Sequence, residues 1–303
     1  MSSSIAVFGS INMDLVVYSN DKPIDGETIF GNSFETFLGG KGANQAVAAS
    51  KLGSEVYFAG KVGTDLFGQR LREQLNSENV KTDFLGEFEG ESGVAVINVI
   101  ESTSENQIIV IPGANFHTSA DQINDKTLSS TEILISQLEV LPEEIEKLFT
   151  RASKKNCYRI LNVAPAIEFS ESLFNETDLL VVNEIELETL SKKKLPDTKI
   201  DSIRTSVDLL PLAKHQSIVV TLGAEGVYVR DQNKDEYIQG HKVNSLDTTG
   251  SGDCFIGAMA SYLLDKRDLF DASVFANKAA SISVTRKGAS SSMPTKDEVV
   301  NLS

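Results

Sequence analysis

The chain reads as an α/β protein built on a mainly parallel central sheet with helices on both faces. Two observations predict this. Short runs of aliphatic and β-branched residues alternate with longer stretches of helical periodicity along most of the sequence. Several of those short runs are apolar throughout, the pattern of strands covered on both faces. With 303 residues, 41% of them hydrophobic, the chain can bury a large core.

In chain order, strands are predicted at Ile5–Gly9, Glu55–Ala59, Glu132–Leu138, Tyr158–Val163, Leu179–Asn183, Ser217–Leu222 and Val227–Arg230. Helices are predicted at Ala43–Leu52, Leu66–Ser77, Pro142–Lys154, Ile185–Lys193 and Ile203–His215. Two segments break the alternation. Leu15–Tyr18 pairs naturally with Thr28–Phe37, and Gly93–Ile100 with Gln107–Ile111, with no helix inside either pair. They predict a small antiparallel sheet made from two excursions, about residues 13–38 and 92–112. The whole chain, 1–303, then forms a single catalytic domain carrying a β lid. A lid suits group transfer from which water must be kept.

The formal net charge is −15, and no basic stripe of the kind nucleic-acid proteins carry is visible. No apolar run approaches the roughly 20 residues of a membrane-spanning helix. The start, Met-Ser-Ser-Ser followed by the short apolar run Ile5–Phe8, lacks the form of a secretory signal. Cys157 and Cys254 form no disulfide framework, and His117, His215 and His241 show no metal spacing. These features predict a cytoplasmic protein with no nucleic-acid or membrane partner. To bind a phosphate ester, so acidic a chain must build a local positive site from helix N-termini or a bound cation.

The strongest chemical signal is Asp247-Thr248-Thr249-Gly250-Ser251-Gly252-Asp253, placed just before an amphipathic helix. The small residues Gly250, Ser251 and Gly252 let backbone N–H groups converge, and the helix start adds partial positive charge, so a phosphoryl group is welcome there. Asp253 falls in the first turn, where its ionised form is favoured and suits a base that deprotonates an alcohol. Capping alone would explain one acid, but not acids at both ends of this heptapeptide. A second signal, Leu38-Gly39-Gly40-Lys41-Gly42-Ala43-Asn44-Gln45-Ala46, joins close-approach glycines to the donors Lys41 and Asn44. It is neither a Walker A loop, since Gly follows Lys41, nor a dinucleotide fingerprint. Asn12 and Asp14 follow the first strand, where open α/β sheets bind ligands, although a solvated turn explains them equally well. Asn183 and Glu186 could orient a hydrated Mg²⁺ or form a capping pair. Thr221-Leu222-Gly223-Ala224-Glu225-Gly226 closes another strand with a Gly-rich turn.

These motifs resemble the two signatures of the ribokinase-like (PfkB) carbohydrate kinases, and the likeness runs from Gly9-Ser10-Ile11-Asn12-Met13-Asp14 to Thr285-Arg286-Lys287-Gly288-Ala289. Gly39–Leu52, Pro112-Gly113-Ala114-Asn115 and Thr285–Pro294 are most similar to the ribose-specific members. The resemblance implies a three-layer α/β/α fold and ATP-dependent phosphorylation of D-ribose at its 5-hydroxyl. It implies that Asp253 is the base and that Gly250, Ser251 and Gly252 form the anion hole. Asn12, Asp14, Gly40, Lys41, Asn44, Glu139 and Asp253 would hold the sugar. Asn183, Glu186, Thr221, Gly223, Gly226 and Asn277 would surround ATP and Mg²⁺. Asp247, Thr249, Ser283, Gly288 and Ser292 would hold an activating K⁺, and the lid would form a homodimer. Ser251, Cys254 and Val163 depart from residues frequent in the family, and none puts the phosphoryl transfer in doubt, since the anion hole at Ser251 uses backbone N–H groups. The rival readings are a family kinase for fructose, deoxyribose, a sugar acid or a nucleoside, and a binding protein that has lost the reaction.

Overall fold

The structure is a computed structural model that describes residues 4–103, 105–197 and 199–302. The strands are β1 (Ser4–Phe8), β2 (Asn12–Ser19), β3 (Ser33–Gly39), β4 (Glu55–Gly63), β5 (Lys81–Phe88), β6 (Gly93–Ile100) and β7 (Glu105–Ile111). They continue with β8 (Thr131–Gln137), β9 (Tyr158–Asn162), β10 (Leu179–Asn183), β11 (Ser217–Thr221), β12 (Gly226–Arg230) and β13 (Asp235–Gln239). The helices are α1 (Lys41–Lys51), α2 (Leu66–Ser77), α3 (Asp125–Leu128), α4 (Pro142–Ser153) and α5 (Glu171–Asn175). After them come α6 (Glu184–Ser191), α7 (Ile200–Val207), α8 (Ser251–Lys266), α9 (Leu269–Ser283) and α10 (Lys296–Val300).

The central sheet has nine strands in the order β13-β12-β11-β10-β9-β8-β1-β4-β5. Its pairs from β5 across to β11 are parallel; β12 and β13 close one end antiparallel. Alternation along β1 divides the core. Ile5 and Val7 join a cluster with α1, α8 and α9, whereas Ala6 and Phe8 join one with α4, α6 and α7. Three layers result, as expected for a sheet apolar on both faces.

The parallel strands β1, β8, β10 and β11 end on the same edge of the sheet. Asn12 and Asp14, then Glu139, Asn183 and Thr221, stand at or just beyond those ends. This is the edge at which open α/β sheets bind ligands. Across the sheet face, α1 and α8 pack closely because Gly257 leaves no room for more. A Cβ there would lie 2.5 Å from both the Ala48 Cβ and the Gln45 carbonyl oxygen.

The lid differs from the expected sheet in one respect. Its order is β3-β2-β6-β7, and the two antiparallel hairpins join through a parallel β2–β6 pair, from Asn12 opposite Gly93 to Ser19 opposite Ile100. Both excursions leave the body at one hinge and run outward side by side, so the joining pair is parallel. The predicted strand Thr28–Phe37 is shorter at its start, since β3 begins at Ser33. The predicted helix Ile203–His215 ends at Val207, because Pro211 cannot continue a helix. Edge strands β5 and β13 were not anticipated from sequence; both carry polar residues on exposed faces. No described helix is long and apolar enough to cross a membrane.

Candidate active site

Two helix N-termini meet at the ligand-binding edge. Helix α8 starts at Ser251 after Gly250, whose φ of 72° is a left-handed conformation suited to glycine. A Cβ on Gly250 would also lie 2.9 Å from the Ala289 Cβ. No side chain caps this helix among the described residues; the Ser251 N–H donates to the Thr248 carbonyl at 3.2 Å, and the N–H groups of Gly252 and Asp253 are left for an anion. A Cβ on Gly252 would meet nothing within 4 Å. Packing therefore does not require glycine at that position, and its absence of a side chain leaves the backbone open to a ligand. Gly250, Ser251, Gly252 and Asp253 line a cavity of about 150 Å³ together with Lys41, Asn183, Glu186 and Thr221.

Helix α1 begins at Lys41 after Gly40, with φ 86°. Its signature glycines serve the chain's own approach. A Cβ on Gly40 would strike the Ile11–Asn12 backbone at 2.8–2.9 Å, and one on Gly42 would strike Ser10 at 2.8 Å. One on Gly39 would overlap the Asp14 carboxylate at 2.1 Å. Glu139 caps the start of α1, accepting from the Lys41 N–H at 3.2 Å and from the Ser10 hydroxyl at 2.6 Å. Its carboxylate also lies 4.0 Å from the Lys41 ammonium.

Asp253 is buried, and both its oxygens are held. The Asn44 Nδ2 donates to one and the Gln45 Nε2 to the other, each at 3.0 Å. Burial pushes the Asp253 carboxyl upward, against the pull of Lys41 and of these two amides. Burial alone would lower Lys41, but Asp253, Glu139 and Glu186 outweigh it and hold the ammonium above its ordinary range. Asp14 is raised to about 7 by burial, then by Glu139 and Asp253. Glu186 is also raised to about 7, again mainly by burial. Lys41 thus stands among carboxylates that crowd one another.

Amide orientations follow from fixed donors. The Ile11 backbone N–H donates to Asn115 Oδ1 at 2.9 Å, so the Asn115 Nδ2 must donate, and it reaches Asn12 Oδ1 at 2.7 Å. Asn12 keeps its own Nδ2 as a donor. Asn44 turns its Nδ2 to Asp253, which leaves its Oδ1 a buried acceptor without a partner among the described residues. That orphaned acceptor fits a hydroxyl donor. Asp14 lines a second cleft of about 570 Å³, bounded by Tyr18, Phe37 and Ile97 of the lid and by Asp247–Thr249. Thr248 lines both spaces, so the two adjoin at the loop before α8.

The remaining predicted residues are placed less uniformly. Asn183 and Glu186 form a reciprocal capping box at α6, and both line the smaller cavity. Thr221 lines it too, and Gly223, with φ 54°, has open space where its Cβ would stand. Gly226 has a structural duty, because a Cβ there would lie 2.1 Å from the Ile238 carbonyl oxygen. Asn277 donates to the Gln239 carbonyl at 2.9 Å and so fixes the end of β13. Asp247 accepts from the N–H groups of Thr249 (2.9 Å) and Gly288 (2.8 Å). Burial works against these bonds, yet they and Lys287 hold its carboxyl below the ordinary value. Ser283 and Ser292 are buried and donate to backbone carbonyls, which leaves their oxygens as acceptors.

Sequence reasoning gave no role to Ser10, Gln45, Asn115, Gln137 or Thr248. Gln45 and Asn115 lie inside quoted motifs, but only the fold shows what their amides touch. At the opposite edge of the sheet, a cleft of about 580 Å³ contains Arg159 and Arg267, both paired with acids.

The model of the pfkB family carbohydrate kinases matches residues 2–296. The chain belongs to that family. It is 35% identical to the ribokinase of Haemophilus influenzae, across 99% of this chain and 98% of that one. It is 36% identical to the deoxyribokinase of Salmonella typhi, across 97% and 96%. The solved structure of Arabidopsis thaliana ribokinase complexed with ribose and ATP superposes with a TM-score of 0.90. There the identity is 30%, and the coverage is 100% of this chain and 99% of that one. As a pfkB family member the chain is an ATP-dependent sugar kinase.

Two consequences can be measured. Gly252→Ala is expected to leave the melting temperature unchanged or slightly raised, while cutting turnover by roughly tenfold or more. Full turnover would mean that nothing occupies that space during the reaction. For Asp14, both folded and unfolded states carry the proton below about pH 4. As pH rises toward 7 the unfolded chain ionises first, so stability falls, and above 7 the whole cost is present. Asp14→Asn should therefore stabilise the fold by about 4 kcal/mol at pH 8 and by less than half of that at pH 5. Urea unfolding at the two pH values checks this, and an equal gain at both contradicts it.

Proposed function

We propose that the chain transfers the γ-phosphoryl group of MgATP to the 5-hydroxyl of D-ribose. The observation that carries this is the position of Asp253. It is buried, held by amides on both oxygens, and lines a phosphoryl-sized cavity that adjoins, at Thr248, the cleft lined by Asp14. In this reading the 5-hydroxyl oxygen attacks the γ-phosphorus while Asp253 takes its proton, and the bond to the β-phosphate bridging oxygen breaks. First-turn N–H groups of α8 face the phosphoryl oxygens. Lys41 offsets charge there.

Asp14, the Oδ1 of Asn44 and the Nδ2 of Asn12 are the sugar's partners. A sugar lacking one of the matching hydroxyls leaves a buried polar group unpaired, the strongest kind of discrimination such a site can make. The ribose complex of the Arabidopsis thaliana enzyme and the Haemophilus influenzae ribokinase favour ribose. The Salmonella typhi deoxyribokinase, equally similar, keeps 2-deoxyribose as a second reading.

Asn183, Glu186 and Thr221 would face the nucleotide and its Mg²⁺, which neutralises charge on the phosphates. Asp247, Thr249, Ser283, Gly288 and Ser292 would hold K⁺ beside the anion hole, adding positive charge to a site rich in carboxylates. The lid supports a homodimer. Phe34, Val96, Ile109 and Ile111 are exposed on its face away from the cleft, and burying them against a second copy would remove them from water.

A coupled ADP-release assay with D-ribose, 2-deoxyribose and D-fructose, with and without K⁺, tests the reading. The highest kcat/KM is expected with ribose, rising when K⁺ is present. A preference for 2-deoxyribose would install the second reading, and indifference to K⁺ would remove the cation site.

A further inference from the structure

Asp253 does not stand on its own helix alone. Behind it runs a chain of buried amides that the reaction scheme leaves without a task. Gln45, fully buried on α1, donates from its Nε2 to Asp253 at 3.0 Å and to the Asn162 Oδ1 at 3.2 Å. A carboxylate can only accept, so the Gln45 amide has one permitted orientation, Nε2 toward Asp253 and Oε1 away. The Oε1 is met by the Nε2 of Gln137, at 2.7 Å. Gln137 is fully buried too, at the end of β8, against a position where only glycine fits. A Cβ on Gly9 would lie 2.0 Å from the Gln137 Oε1. That oxygen has no hydrogen-bond partner among the described residues.

A leucine or methionine would fill either space without burying an unpaired polar atom. Packing therefore does not account for two wholly buried glutamines and a glycine shaped around one of them. We propose that Gln45 is a positioning residue for Asp253, and that Gln137 holds Gln45 in the orientation that donates. The relay fixes the rotation of the carboxylate, so the lone pairs not taken by Asn44 and Gln45 are presented to the alcohol. It also supplies one of the donors that favour the ionised form, against burial and the neighbouring carboxylates.

The groups facing Asp253 from the surrounding elements are Lys41, Asn44 and Gln45 on α1, Asp14 on β2, Glu139 after β8 and Glu186 on α6. Along α8 its neighbour Cys254 is a buried thiol pushed up to about 12, neutral through the working range. Among these, Asn44 and Gln45 are the donors whose removal leaves every formal charge unchanged, and Asn44 is already assigned to the sugar.

The inference rests on the reading of Asp253 as the base. The test compares wild type, Gln45→Met and Gln137→Met for kcat, sugar KM and the pH profile of kcat. In Gln45→Met, kcat should fall roughly 10- to 100-fold, with sugar KM moving by less than about threefold. The acid limb should shift upward by about one pH unit. Gln137→Met should shift it in the same direction by less. A folded Gln45→Met with wild-type kcat and an unmoved acid limb overturns the relay. If Gln45→Met does not fold, Gln137→Met decides, and an unmoved acid limb there overturns the relay equally. Wild-type protein without sugar-dependent turnover would instead remove the base reading beneath it.

Discussion

The site depends on keeping one carboxylate charged where water cannot help it. Asp253 is buried at the start of α8, and an ionised carboxylate there is tolerable only if donors reach both oxygens and a cation stands near. Those donors come from another helix. Asn44 and Gln45 reach Asp253 because α1 lies close against α8, and α1 lies so close because Gly257 has no side chain. The two helix starts then lie side by side, and the first turn of α8 offers N–H donors and partial positive charge to a phosphoryl group, those of α1 being taken by Glu139, Ser10 and Gly40. A strongly acidic protein thereby makes a place for ATP without a basic surface.

The same economy governs the cleft beneath the lid. Glu139 caps α1 and so is anchored before any ligand arrives. Asn115, just beyond the second lid excursion, holds Asn12 beside the first. The base of the lid and the orientation of the Asn12 amide are therefore one hydrogen-bonded unit. Burial, with neighbouring carboxylates adding to it, raises Asp14 and Glu186 to about 7, an arrangement that opposes folding at alkaline pH. Local instability of this kind belongs to sites shaped for a ligand rather than for the empty protein.

Much of this was legible in the sequence. Apolar runs marked the buried strands of the central sheet, since those strands are covered on both faces. Asp247–Asp253 and Gly39–Gln45 marked the two helix starts, since anion binding and close backbone approach demand small residues at fixed offsets. The edge strands β5 and β13 were not legible, because their exposed faces carry polar residues that read as loop. The parallel β2–β6 pair was not legible either, as it joins segments about 80 residues apart. The roles of Gln45, Gln137 and Asn115 required knowing what each amide touches. Glycine at 226 looked like a nucleotide turn from sequence, and in the fold it admits the Ile238 carbonyl.

The measurement that bears most directly on this account is the rate of the transfer step in Asp253→Asn, taken in a single turnover beside the sugar dissociation constant. Asparagine keeps the shape and one acceptor oxygen for Gln45, although Asn44 must turn its amide to meet the new NH2, and it cannot take the proton. The account predicts a transfer rate lower by about three orders of magnitude or more, with sugar affinity changed by only a few-fold. A transfer rate close to wild type would contradict it, because the buried carboxylate on which the two helices converge would then have no part in the chemistry.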